Sequence, residues 1–118
     1  MNKYDLEDRL IAFSVSIINL SNLIAKTKAG NHLSGQIIRS GTSSALNYGE
    51  AQSSESKKDF IHKFKIILKE LRETLVCLKI IEQSNLIKNT ALIESVKDEC
   101  IQLISIFVKS IETAQKNN

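Results

Sequence analysis

Apolar residues recur at helical spacing in four long stretches of the chain. In the first, Leu6, Leu10, Phe13, Ile17, Leu20 and Ile24 follow one another at intervals of three and four, the rhythm of a helix buried along one side. The spacing predicts a helix over 5–26. A second apolar row, Ile11, Val15 and Ile18, lies more than a quarter turn from the first at about 100° per residue. Two arrangements account for it. Either helix 1 self-associates through this row, making Ile11, Val15 and Ile18 an oligomer interface, or a broad stripe touches two neighbouring helices.

The segment Thr27–Asn31, with Gly30, reads as a C-cap and turn, and helix 2 is expected over 32–51. Leu33, Ile37, Ser44 and Tyr48 mark its inner side, while Gly41, Ala45 and Gly49 recur every fourth residue, which predicts close approach of another backbone along that edge. Gln52–Glu55 forms a polar turn, and Ser56 with Asp59 three residues on reads as an N-cap. Helix 3 is expected over 57–83 on Phe60, Phe64, Ile67, Leu71, Leu75 and Leu78. Helix 4 is expected over 90–116 on Leu92, Val96, Cys100, Leu103, Phe107 and Ile111. Short links between long helices force neighbours to run antiparallel. The expected fold is therefore all-α, an up-down-up-down four-helix bundle, in a single domain over 1–118.

Composition agrees with rods rather than turns. The 118 residues include no proline, four glycines and six aromatics, with 42% hydrophobic, which argues against sandwiches, barrels and disordered tails. Cys77 and Cys100 form no CxxC and have no nearby histidine in sequence, so they read as free thiols packed like small hydrophobes. Acids at Asp5, Glu7 and Asp8 speak against a signal peptide. The uncharged run from Leu10 to Ala25 is short of the roughly 20 apolar residues a membrane span needs. A cytoplasmic protein without membrane association is expected.

Little in the chain points to catalysis. His32 and His62 fall on different helices, and no serine or cysteine is spaced to act on either as a nucleophile. Asp59 and His62 have the i, i+3 separation seen in di-iron bundles, but the apolar stripes of helices 1 and 4 offer no acid to complete such a site. Neither a metal nor another cofactor is expected, and the protein reads as no enzyme. The strongest charge feature lies on helix 3. Lys58, His62, Lys65, Lys69 and Arg72 are spaced 4, 3, 4 and 3, within about 80° of one another on the side away from the core. Net charge over the whole chain is +3, whereas 57–79 alone holds seven basic and three acidic residues. Such a row suits the phosphates of RNA or DNA. Alternatively it is a solvated face whose charges pair with Glu70 and Glu73 along the helix.

The runs RSGTSSALNYGEAQ at 39–52, ESKKDFIHK at 55–63 and LKE-x-RET at 68–74 resemble the bacterial four-helix-bundle proteins of the 23S rRNA intervening-sequence family. More distantly, the chain is similar to the accessory variability protein of diversity-generating retroelements. The resemblance implies a four-helix bundle assembled as a ring-shaped homopentamer. From the retroelement relative it implies a basic surface that binds nucleic acid and a reverse transcriptase. Arg39, Ser43, Asn47 and Glu50 match the family pattern, and their spacing places them on one edge of helix 2 as a structural polar edge bonding to a neighbouring helix or subunit. Val76 and Cys77 stand where relatives commonly carry two aromatic residues. In a pentamer, five copies of the basic row would share one ring, which favours a nucleic-acid-binding or accessory role. The alternative is an interaction scaffold that presents a protein partner.

Overall fold

The computed structural model describes residues 2–117 and consists of four helices: α1 Lys3–Ser21, α2 Lys28–Ala51, α3 Lys57–Gln83 and α4 Thr90–Lys116. Each packs on its neighbour in sequence, and α1 closes on α4, with no diagonal pairing. That pattern, in a particle 48 Å long and about 21 Å across, is the expected antiparallel bundle.

Every helix begins at a side chain that takes up otherwise orphaned amides. Asn2 accepts from Tyr4 and Asp5 while Asp5 reaches back to the Asn2 amide, a capping box. Thr27, Ser56 and Asn89 accept from the amides of Gly30, Asp59 and Leu92. At the end of α3 the Leu86 amide donates to Ile81 and the Asn85 amide to Glu82. This is a Schellman closure with Asn85 in the left-handed region at φ 56°.

The α1–α2 junction departs from the spacing-based expectation. Helix 1 stops at Ser21 rather than reaching Lys26, and helix 2 begins at Lys28 rather than His32. The apolar rhythm misleads because Ile24 remains buried after the helix has ended. There the chain turns so that the Ala25 amide donates to the Leu86 carbonyl at 2.8 Å, joining this loop to the α3–α4 loop. Gly30 is thus no C-cap but part of the first turn of α2. A Cβ at Gly30 would fall on the Ala25 carbonyl oxygen.

The core is the expected set with one exchange: on α4 Ile93 is fully buried and Leu92 only half-buried. Phe60, Phe64, Phe107 and Tyr48 form an aromatic cluster at one end, with Phe60 and Phe64 centroids 4.1 Å apart. Cys77 and Cys100 are buried free thiols, and Cys100 donates to the Leu71 carbonyl. Burial pushes the Cys100 thiol up to about 12. Its proton is therefore held more tightly in the folded chain, and this contribution to stability fades as pH rises above the ordinary thiol range. Deep in the α2–α3 seam, Thr74 and Ser40 share a hydrogen bond of 2.9 Å, whereas the Ser44 hydroxyl is buried without a partner.

The small-residue edge of helix 2 is used at one position only. Gly41 meets Ile17 so closely that a Cβ would lie 2.8 Å from its side chain, while Gly35 and Gly49 face open space and Ala45 is half-buried. Thermal or urea unfolding should separate these sites. Gly30→Ala is expected to cost at least about 2 kcal/mol through backbone collision, whereas Gly49→Ala should stabilise an isolated subunit by up to about 1 kcal/mol through helix propensity.

Candidate nucleic-acid interface

Helix α3 owes its rotation to Phe64, Ile67, Leu71, Leu78 and Ile81, all buried. With those side chains turned inward, Lys58, His62, Lys65, Lys69 and Arg72 are all exposed. Over fourteen residues at 1.5 Å each the row is about 21 Å long. It continues along the same side to Val76 and Lys79, also exposed.

The charges of this row do not pair along the helix. Glu70 and Glu73 are taken instead by α2: Arg39 donates to Glu70 at 3.1 Å and also to Glu73. Asp59 pairs with Lys63 at 3.2 Å and accepts from the Glu55 amide, and these bonds hold its carboxyl below the usual range. Among the described residues no carboxylate lies within ion-pair distance of Lys58, Lys65, Lys69 or Arg72. This corrects the expectation that Glu70 and Glu73 neutralise the row. Three acids on α3 are neutralised from its flanks, and the basic row keeps its charge.

Of the polar edge on α2, Arg39 makes the expected link to another helix. Ser43 bonds to the Ser40 carbonyl of its own helix at 3.0 Å. Asn47 is half-buried and Glu50 exposed, and neither has a side-chain hydrogen bond among the described residues. Val76 is exposed, whereas Cys77 is buried and directs its thiol toward the Leu33 carbonyl. No cluster of three histidine, cysteine or acidic side chains suited to a metal occurs among the described residues. None of their helices is long and apolar enough to cross a membrane.

On α1 the second apolar row points outward. Ile11, Val15 and Ile18 are 47%, 50% and 44% exposed, so no second helix of the same chain covers them, and the broad-stripe explanation fails within one subunit. Spacing analysis missed a companion surface on α2. Gly35, Ile38, Thr42, Leu46 and Gly49 recur at 3, 4, 4 and 3 along its outer side, with Leu46 71% exposed and open space above both glycines. The signal was present in the spacing, but the glycines had been assigned to the inner edge.

The sequence from Lys3 to Lys109 matches the family model described as 23S rRNA-intervening sequence protein. The chain belongs to this family. Its structure is similar to the crystal structure of a protein of unknown function from the S23 ribosomal protein family of Bacteroides thetaiotaomicron. The TM-score is 0.84 at 30% identity, covering 95% of this chain and 99% of the other. No curated protein matches it. In this intervening-sequence protein, membership accounts for the full four-helix architecture and leaves the activity open.

Arg39 is the residue on which the electrostatics of the face turns. Removing it strands two carboxylates beside the basic row. In urea denaturation Arg39→Ala should cost about 1 kcal/mol or less, as for partly exposed ion pairs. Adding Glu70→Gln to Arg39→Ala should cost less than Glu70→Gln does alone, a coupling that a double-mutant cycle measures directly.

Proposed function

We propose that the protein binds the backbone of RNA or DNA without catalysis, through Lys58, His62, Lys65, Lys69 and Arg72 on α3, and does so as a homo-oligomer. The observation that carries this reading is the exposed, unpaired state of four cationic side chains beside acids that are already neutralised. Five such charges in a row about 21 Å long suit a strand of phosphates, and contacts of this kind are sequence-tolerant and salt-sensitive.

The oligomer is supported by the exposed row Ile11, Val15 and Ile18 and by the open, glycine-flanked surface of α2. These are different surfaces on adjacent helices, a ridge and a shallow furrow. Contact between unlike surfaces of successive copies is heterologous and closes into a ring when the rotation permits. A pentameric ring, the form the family resemblance implies, would carry five copies of +3 and gather five basic rows, strengthening the field toward a polyanion. The scaffold reading, in which the ring presents a protein partner and the basic row only aids solubility, uses the same apolar surfaces but gives α3 no role.

Fluorescence anisotropy with a labelled RNA duplex, at 50 and 200 mM salt, tests the reading. If each subunit contributes its row, parent affinity should fall by about a hundredfold or more over that range, the slope expected for four or more phosphate contacts. Replacing Lys58, Lys65, Lys69 and Arg72 together by Gln should abolish most of both affinity and salt dependence. Identical curves for parent and variant would refute nucleic-acid binding by this face and leave the scaffold reading.

A further inference from the structure

A cleft of about 530 Å³ opens at the end of the bundle where α1 and α3 begin and α2 and α4 finish. Its volume lies in the range of small-molecule sites, about 300–1,000 Å³. The floor is apolar and comes from all four helices: Leu6 of α1, Tyr48 of α2, Phe60 and Phe64 of α3, and Ile106 of α4. The rim carries Lys3 and Lys109, and no aspartate or glutamate lines the cleft. Lys109 has no ion pair among the described residues. The Tyr48 hydroxyl is already engaged with the Lys3 carbonyl at 3.2 Å, so the floor presents hydrocarbon rather than a free polar group.

We infer that this cleft binds a medium-chain acyl carboxylate, with its hydrocarbon tail on the aromatic and aliphatic floor and its carboxylate at the Lys3–Lys109 rim. The charge of the rim selects an anionic head. The shape of the floor favours a flexible chain. Phe60 and Phe64 are tilted 34° to each other and Phe64 and Phe107 61°, which leaves no parallel pair of faces to sandwich a flat ring, while Leu6 and Ile106 supply aliphatic wall. The site goes beyond nucleic-acid binding and is spatially separate from it. Phe60 and Phe64 lie about 160° and 120° around α3 from Lys58, at 100° per residue.

Isothermal titration calorimetry of the full-length protein with decanoate, below its micellar range, tests the inference, with decyltrimethylammonium as the matched cationic chain. Saturable binding of one decanoate per subunit is expected, with no comparable binding of the cation. Lys109→Glu, a surface change that should leave folding intact by circular dichroism, should weaken decanoate by about tenfold or more, the scale of a lost charge-assisted contact. Ala114→Trp, which places a large ring at the cleft wall, should remove binding while the RNA-duplex affinity is retained. The inference is overturned if the parent shows no saturable decanoate binding, if the cation binds as well, or if Lys109→Glu leaves decanoate affinity unchanged.

Discussion

The contact between Ile17 and Gly41 sets the geometry on which the remaining surfaces depend. Only the absent side chain of Gly41 lets α2 receive Ile17 at this depth, and the Ser14 hydroxyl of α1 lies 3.4 Å from the Gly41 carbonyl at the same crossing. A helix seated this closely has one rotation about its own axis. With Leu10, Phe13, Ile17 and Leu20 turned inward, Ile11, Val15 and Ile18 have nowhere to go but outward. The same seating turns Ile37, Ser40 and Ser44 of α2 to the core and leaves Gly35, Leu46 and Gly49 on its outer side. Core packing thus determines which apolar residues remain for another molecule.

A comparable division governs the charges. Basic and acidic side chains are interleaved in the sequence of α3, and on an isolated helix many would partly cancel through neighbours three and four residues apart. The bundle resolves them. Arg39 draws Glu70 and Glu73 toward the α2 seam, and Lys63 holds Asp59. Elsewhere charges cross between helices in the same manner, Arg9 of α1 gripping Glu99 of α4 with two bonds of 2.7 and 2.8 Å and Lys97 of α4 reaching Glu82 of α3 at 2.7 Å. Each of these pairs joins adjacent helices at a partly exposed seam, where it adds a little stability and orders the register. The basic row on α3 is what remains after the pairing.

Fold class, helix number and most of the core were legible in the sequence, because three- and four-residue spacing states directly which side of a helix is buried. The end of α1 was not. Ile24 keeps the rhythm of the core after the helix has stopped, and the bond that stops it, from Ala25 to Leu86, joins residues 61 positions apart. The basic row was also legible, but the fate of Glu70 and Glu73 was not, since local spacing offers them lysine partners on α3 and only tertiary structure brings Arg39 across. The cleft at the bundle end escaped for the same reason. Its floor draws on four helices, and no local pattern brings Leu6, Phe60 and Ile106 together.

The central claim is that the outward apolar row gathers copies of the chain and that gathering multiplies the basic rows. It is tested most directly by RNA-duplex binding of a Val15→Glu variant, with mass followed by sedimentation. The parent should sediment as an oligomer. The variant should be a helical monomer, since Val15 is half exposed and makes no core contact that glutamate would break, and its affinity should fall by at least about tenfold as neighbouring rows are lost. A parent that sediments as a monomer, or a monomeric variant that binds the duplex as tightly as the parent, would contradict the account.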